Sequence, residues 1–285
     1  MLISLLGCKK TNRNLYDNDQ NVRRLNHNGV TREYIIYIPD SYDGSSHVPV
    51  MFNFHGYAGK ASWFMTEADM RNLSESENFI LIYPQGTRDA EGNPFSTHWN
   101  AGLDTPDNKS EADDLGFIET LINEIALDYN IDKERIYACG YSNGGMFAYA
   151  LAAYKSELIA AVGSVSGTML TETINNASPS HPTPIIHIHG TSDEVLQYSG
   201  GEGFGSVESI LNYWINFNNT NTTAIADTSD NIEYYSYSEG DDGTAVEHYK
   251  IIEGGHVWFD INYKGSNTNQ LIWDFVSKYD INGLR

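Results

Sequence analysis

The pentapeptide Gly140-Tyr-Ser-Asn-Gly144 lies between two segments of different character. Residues 136–139 read as a buried strand, and residues 146–153 form an apolar run typical of a helix. A Gly-x-Ser-x-Gly motif alone is compatible with an ordinary glycine-rich loop. Between a strand and a helix it predicts a nucleophile elbow, a sharp turn that holds a serine hydroxyl exposed in a strained conformation. We therefore predict Ser142 as a nucleophile.

An elbow serine is a weak nucleophile alone and needs a general base and an acid that orients the base. In proteins with this turn the order along the chain is serine, acid, histidine. Asp193 follows a predicted strand over residues 183–189, and catalytic groups gather at the carboxyl ends of parallel strands. We predict Asp193 as the acid, with Glu194 as the alternative.

Only two histidines follow Asp193 in the sequence, and one of them should be the base. His248 lies inside a predicted strand over residues 246–252, and we interpret it as a residue on the strand surface. His256 lies in the loop Gly254-Gly-His256, where two glycines let the backbone bend back toward the serine. We therefore predict His256 as the base.

Acyl transfer also needs hydrogen-bond donors for the oxyanion. A predicted buried strand over residues 48–54 runs directly into His55-Gly-Tyr-Ala-Gly59, the position from which the first such donor comes in this arrangement. We predict the backbone N–H groups of Tyr57 and Asn143 as the oxyanion hole. His55 is interpreted as a brace for this loop.

Periodicity lapses over residues 85–112, a long irregular segment that we interpret as one wall of a substrate cleft. Aromatic residues lie in this segment and beside the predicted catalytic loops. We predict Trp99, Tyr141 and Trp258 as substrate-binding residues, since aromatic walls suit aryl and other bulky acyl groups.

Predicted strands alternate with predicted helices along the chain, which indicates an α/β fold with a mainly parallel sheet covered by helices on both faces. The predicted helices span residues 61–76, 114–129, 207–217 and 269–279. Polar residues 218–230 predict a mobile surface loop. We expect one catalytic domain over residues 29–285, preceded by a tether over residues 1–28.

Charge excludes some partners. The chain of 285 residues carries 17 Lys and Arg against 38 Asp and Glu, a net charge of −21. Such a surplus repels phosphate backbones and anionic membranes, so no nucleic-acid partner is expected. The same composition is weakly associated with export.

The two cysteines, Cys8 and Cys139, are not expected to form a disulfide. Leu5-Leu-Gly-Cys8 resembles a bacterial lipobox, although it has no basic segment before it and its apolar run is short. Either the true start lies upstream of Met1 or the match arises by chance, and we favour the first because the polar residues 9–24 are typical of a tether. This interpretation predicts a lipid anchor at Cys8 and an extracellular, surface or periplasmic location. Cys139 is interpreted as a buried core residue. The oligomeric state is left open.

A metal site is the alternative for His187 and His189, which share one face of a strand near Asp193. Binuclear zinc hydrolases use a tighter run that ends in a further histidine, which this sequence lacks. We predict neither a metal nor a cofactor.

The chain resembles the extracellular polyhydroxybutyrate depolymerase and feruloyl esterase group of α/β-hydrolases. The motifs that carry the resemblance lie between about residues 30 and 280, and they are His55-Gly-Tyr-Ala-Gly59, Tyr83-Pro-Gln-Gly86, Trp99-Asn100, Asp113-Asp-Leu-Gly-Phe117, Gly140-Tyr-Ser-Asn-Gly-Gly145, His189-Gly-Thr-Ser-Asp193 and Gly254-Gly-His-Val-Trp258. The resemblance implies a serine ester hydrolase with Ser142, Asp193 and His256 as its triad. Many relatives carry disulfides that this chain cannot form.

The substrate classes implied by the resemblance are hydroxyalkanoate, feruloyl or other aryl esters and related polyesters. A serine peptidase of the same fold is one alternative. A catalytically inactive lipoprotein that uses the scaffold for binding is the other.

Overall fold

A ten-stranded sheet forms the centre of the protein, as seen in a computed structural model that describes residues 22–89, 93, 95–103 and 108–285. Its strands lie in the order β1-β2-β4-β3-β5-β6-β7-β10-β9-β8. Their bounds are β1 Val22–His27, β2 Val30–Tyr37, β3 Val48–Phe54, β4 Ile80–Pro84, β5 Ile131–Tyr141, β6 Ala161–Val165, β7 Ile185–Gly190, β8 Ile225–Ser229, β9 Ile232–Tyr237 and β10 Val246–Ile251. The six central strands from β4 to β10 are parallel, and the outer strands on both sides pair antiparallel.

Helices cover both faces of this sheet. Among the residues described, they are α1 Ala61–Glu67, α2 Arg71–Glu77, α3 Asp114–Asp128, α4 Asn143–Tyr154, α5 Thr171–Asn176, α6 Val207–Phe217 and α7 Thr268–Val276, with 3-10 turns at Ser156–Leu158 and Asp241–Gly243. Short hairpins pair Asn262–Tyr263 (β11) with Ser266–Asn267 (β12) and Tyr279–Asp280 (β13) with Gly283–Leu284 (β14). None of the helices within the described ranges is long and apolar enough to cross a bilayer.

The alternation of side chains along a strand explains why two separate cores form. Phe52 and Phe54 of β3 pack into the core beneath α3, α4 and α6, whereas Met51 between them packs into the core beneath α1 and α7. A strand buried on both faces is apolar throughout, and all of β3 is buried. The predicted fold class is confirmed.

Several predicted boundaries need correction. Val22–His27 forms an edge strand paired with β2, so these residues of the predicted tether over residues 1–28 belong to the sheet. The single helix predicted over residues 61–76 is two helices, because the Ala68 carbonyl accepts a hydrogen bond from the buried Tyr83 hydroxyl (2.7 Å) and Asp69 accepts the Arg71 N–H (3.0 Å) at the start of α2.

The predicted surface loop over residues 218–230 is also wrong in part, because Ile225–Ser229 pairs with β9 as the outermost strand of the sheet. This strand is polar and mostly exposed, as edge strands often are, so its sequence looks like a loop. Cys8 and the lipobox-like motif lie outside the described residues, and lipidation stays a prediction.

Candidate active site

Ser142 sits at the turn between β5 and α4, with φ 54° and ψ −122°. This strained conformation holds because two close backbone approaches admit only glycine beside it. A Cβ on Gly140 would lie 2.2 Å from the Gly144 carbonyl oxygen, and a Cβ on Gly144 would lie 2.0 Å from that of Phe54. The predicted elbow is therefore present in the fold.

The three predicted triad residues meet at this turn. The Ser142 hydroxyl donates to His256 Nε2 across 2.8 Å, and His256 Nδ1–H donates to Asp193 Oδ2 across 2.7 Å. Asp193 lies just beyond β7 and His256 lies beyond β10, which is the neighbour of β7 in the sheet. The arrangement fits removal of the serine proton by an imidazole that the carboxylate orients.

Asp193 is buried, yet its carboxylate is well supplied with donors. Oδ1 accepts the backbone N–H groups of Val195 (2.9 Å) and Leu196 (2.8 Å). Burial raises the pKa of Asp193, but hydrogen bonds from His189, His256 and these two N–H groups outweigh it and lower the pKa to about 2. The carboxylate is therefore ionised at neutral pH.

His189 is a site residue that the sequence reasoning assigned only to a metal alternative. Its Nε2–H donates to the Leu196 carbonyl across 2.8 Å and also lies 3.3 Å from Asp193 Oδ2. This side chain therefore holds both the acid and the loop that carries it. The position of His189, one residue before the glycine that ends β7, was the only feature of the sequence that pointed to a role near Asp193.

His55 braces the loop that carries Tyr57, as predicted. Its Nε2 accepts from the Gly86 N–H (2.9 Å) and from the Gln85 side-chain amide (3.0 Å), so its Nδ1 holds the proton and donates to the Gly56 carbonyl (2.7 Å). Burial lowers the pKa of His55 to about 4, which keeps the ring neutral at pH 7.

Gly56 brings this loop against the elbow. A Cβ on Gly56 would lie 3.3 Å from the Ser142 Cβ. Asn143 is the first residue of α4, and the N–H of a first helical residue has no acceptor within its helix. Both predicted oxyanion donors thus lie in segments that adjoin the serine.

Trp99 is not at the cleft surface, which corrects the predicted substrate contact at this residue. It is 2% exposed, stacks on Phe147 with ring centroids 5.0 Å apart, and donates from Nε1 to the His55 carbonyl across 3.0 Å. The Asn143 side chain forms two hydrogen bonds with the Trp99 backbone: it accepts from the Trp99 N–H (2.7 Å) and donates to the Trp99 carbonyl (2.9 Å). Trp99 therefore joins the two predicted oxyanion segments.

Tyr141 and Trp258 remain half-buried beside the triad. The Tyr141 hydroxyl donates to the His256 carbonyl across 3.0 Å, and its ring centroid lies 5.2 Å from that of His256. Trp258 packs edge-on against Phe64 at 5.3 Å, at the margin of the core beneath α1. Their contact with substrate stays a prediction.

His248 is buried, which corrects its interpretation as a strand-surface residue. Its Nε2 lies 2.8 Å from the Tyr198 hydroxyl and its Nδ1–H donates to the His187 carbonyl across 3.1 Å. His187 in turn pairs with the Tyr149 hydroxyl (2.8 Å). Across the ranges that the structure describes, no group of three His, Cys, Asp or Glu side chains is arranged to hold a metal ion.

A strained serine, an imidazole and a buried carboxylate at the carboxyl ends of parallel strands define a serine-hydrolase site on an α/β-hydrolase fold. The phospholipase/carboxylesterase family model matches residues 43–233, more than half of the chain. The protein belongs to this family.

Curated relatives refine the comparison. The chain is 28% identical over 260 residues to a bifunctional acetylxylan esterase/xylanase of Neocallimastix patriciarum, covering 90% of this chain and 34% of the relative. It is 28% identical over 262 residues to feruloyl esterase B of Piromyces equi, covering 88% of this chain and 46% of that protein. The chain thus spans between a third and a half of these relatives.

Solved structures support the fold. An acetyl xylan esterase from Aspergillus awamori superposes with a TM-score of 0.67 at 16% identity, covering 90% of this chain and 98% of that one. At this identity the likeness establishes the α/β-hydrolase fold alone.

Proposed function

We propose that the protein hydrolyses carboxylic esters through an acyl-enzyme. The observation that carries the proposal is the continuous hydrogen-bonded chain from Ser142 through His256 to Asp193 on a strained elbow. Binding alone requires neither a strained turn nor a serine hydroxyl hydrogen-bonded to an imidazole and a carboxylate.

In the proposed reaction, His256 Nε2 takes the Ser142 proton as Oγ attacks the ester carbonyl. The tetrahedral oxyanion accepts hydrogen bonds from the Tyr57 and Asn143 N–H groups. Collapse expels the alcohol, which receives the proton from His256. Water, deprotonated by the same nitrogen, then attacks the acyl-enzyme and releases the acid, and the proton returns to Ser142. Asp193 stays ionised and stabilises the imidazolium.

The substrate class we propose is an acetyl or feruloyl ester carried by a plant-type polysaccharide. Support comes from the relatives, whose names specify acetylxylan and feruloyl esters. Tyr57 is a second reason to propose an aryl ester. Its ring is 50% exposed, and its own backbone N–H is a proposed oxyanion donor, so an aryl group could contact this ring near the serine. Hydroxyalkanoate and aromatic polyesters are the competing substrates.

The test is a panel of substrates given to the wild-type protein and to Ser142→Ala. Methyl ferulate, acetylated xylan, a hydroxybutyrate oligomer and a peptide p-nitroanilide separate the candidates. We expect Ser142-dependent turnover of the first two and none of the anilide. Dominant anilide cleavage would favour the peptidase, and no turnover of any ester would favour the binding protein.

We also propose export with a lipid anchor at Cys8, supported by the lipobox-like motif and the acidic composition. Membrane fractionation of native cells, with Cys8→Ser as the matched variant, tests it. An unmodified amino terminus in mass spectrometry contradicts the anchor.

A further inference from the structure

A groove of about 690 Å³ lies beside the loop that carries the proposed oxyanion donor. Its walls come from β2, from the start of α1 and from the segment after β4, with Lys60 on one side and Arg88 on another. Its volume is within the range of small-ligand sites.

The groove shares a wall with the active site. Thr97, which lines it, accepts a hydrogen bond from the Ala58 N–H (2.7 Å) and donates through its hydroxyl to the Gly59 carbonyl (2.6 Å). The chain from Gly56, which adjoins Ser142, to Lys60, which lines the groove, is therefore a short partition that connects the two sites. A polymer that presents an ester to Ser142 would have neighbouring units beside this partition.

The charges of the groove differ from those of the whole protein. Arg32 is paired with buried Asp114 at 2.7 Å, and Glu33 is paired with Arg24 at 2.7 Å. Lys60 and Arg88 are exposed, and within the described part of the chain neither has a carboxylate within ion-pair distance.

Asp89, the acid next to Arg88, accepts the Asn93 N–H through Oδ1 (3.1 Å). Among the residues described, Lys60 and Arg88 are thus two cations without a carboxylate partner, in a chain whose net charge is −21. Such a local reversal of charge attracts an anionic ligand.

Aromatic rings accompany the cations on this side of the protein. The Lys60 ammonium lies 4.5 Å from the ring centroid of Trp63, which is 60% exposed. The Lys109 ammonium lies 5.4 Å from the ring centroid of Tyr57, which is 50% exposed. Exposed rings next to cations suit a ligand with both apolar ring faces and carboxylates, as acidic sugars have.

We infer that this groove binds a uronic-acid segment of the polysaccharide whose ester is cleaved at Ser142. Lys60 and Arg88 bind the sugar carboxylates, so the enzyme prefers ester groups near acidic units. The inference deepens the proposed function and rests on it for the identity of the polymer. A general anion site that binds inorganic phosphate equally well is the alternative to a site for an acidic polysaccharide.

The experiment measures binding rather than turnover, and uses the Ser142→Ala protein so that the polymer stays intact. The two probes are glucuronoxylan and the same polymer with its carboxyl groups reduced to alcohols, compared by affinity electrophoresis in 20 mM and 200 mM NaCl. We expect about fivefold tighter binding of the carboxylated polymer at low salt, as two exposed ion pairs provide, and a smaller ratio at high salt.

Adding Lys60→Gln and Arg88→Gln to this protein should reduce the ratio to below about twofold. Adding Lys133→Gln should leave it unchanged, because Lys133 is exposed near the start of β5, at the opposite end of the strand from Ser142. Melting temperatures show whether each variant is folded. If the double variant is unfolded, the single variants are measured instead, and each should lose part of the preference.

Equal binding of the two polymers overturns the inference, as does a preference that survives in the folded Lys60→Gln/Arg88→Gln protein. Competition by 10 mM phosphate as strong as that by 10 mM glucuronate would also overturn it, since the groove would then bind anions in general. The experiment measures binding, so a negative result does not contradict ester hydrolysis. Likewise, a measured preference for carboxylated polymer would remain valid if the wild-type protein hydrolysed no ester.

Discussion

His189 Nε2 lies 3.3 Å from Asp193 Oδ2, the same oxygen that accepts the hydrogen bond from His256. The Leu196 carbonyl shares this N–H at 2.8 Å, so one buried side chain fixes the catalytic acid and its loop together. His189 is fully buried and contacts Asp193 rather than Ser142 or His256, and we assign it as a positioning residue.

Replacing His189 with Leu should lower kcat about 10- to 100-fold with little change in KM, because a buried carboxylate loses one donor. Steady-state kinetics on methyl ferulate measure this, and His189→Gln, which can donate from nearly the same place, should recover part of kcat. His187→Leu is the matched control, since it removes a buried histidine of the same strand that does not contact Asp193. Equal kcat in the Leu and Gln variants would contradict the positioning role.

Trp99→Phe should slow all esters by a similar factor, about 10-fold, because the lost Nε1–H no longer ties His55 to the elbow. Most of the ring stacking on Phe147 is kept, so the free energy of unfolding should fall by only about 1–2 kcal/mol. Kinetics on acetyl and feruloyl esters with denaturant unfolding check both. A fall in rate confined to feruloyl esters would contradict this and indicate that Trp99 contacts the substrate.

Trp258→Ala should distinguish a substrate wall from a core residue. If the indole contacts the acyl group, kcat/KM for feruloyl esters should fall about 5- to 150-fold, from 1–3 kcal/mol of lost transition-state binding, while acetyl esters change little. Phe64→Leu, which alters its core partner but not the rim, is the comparison. An equal loss on both esters, together with a lower melting temperature, would make Trp258 a support of the histidine loop.

Local features of the sequence located the turn at Ser142, because an elbow is defined by adjacent residues. The helix over Val207–Phe217 and the strand over Val48–Phe54 also have the predicted bounds, since their patterns are strong and uninterrupted. The predictions that the structure contradicts depended on contacts between residues distant in sequence. Whether Trp99 faces solvent depends on Phe147 and His55, and these contacts are not readable from residues 85–112.

Histidines on strands were the hardest residues to interpret. A polar residue within a strand is usually exposed, yet His248 is 2% exposed because Tyr198 covers it and bonds its Nε2. Burial lowers the pKa of His248 to about 3, so it stays neutral at pH 7. The role of His189 likewise appears only once residues 193–196 fold back over it.

Asp193 should contribute to stability in a defined pH window. Its pKa is lowered from 3.8 to about 2 in the folded protein, so between these pH values the unfolded chain binds more protons and stability rises with pH. The advantage of wild type over Asp193→Asn in free energy of unfolding should be complete above about pH 5, on the order of 1–2 kcal/mol, and shrink as pH falls toward 3. Urea unfolding at several pH values measures it, and an advantage that grew on acidification would contradict the ionised form.

The most direct test of Ser142 as the nucleophile is the kcat of Ser142→Ala on the best ester of the panel. Because the triad acts as a unit, we expect a fall of about 10⁴- to 10⁶-fold with an unchanged melting temperature. Ser164→Ala is the matched control: Ser164 is a buried serine of β6 that forms no hydrogen bond with the side chains of Ser142, His256 or Asp193, so its loss should leave kcat within about twofold. A Ser142→Ala protein that kept a tenth of wild-type kcat would place the nucleophile elsewhere and contradict the account.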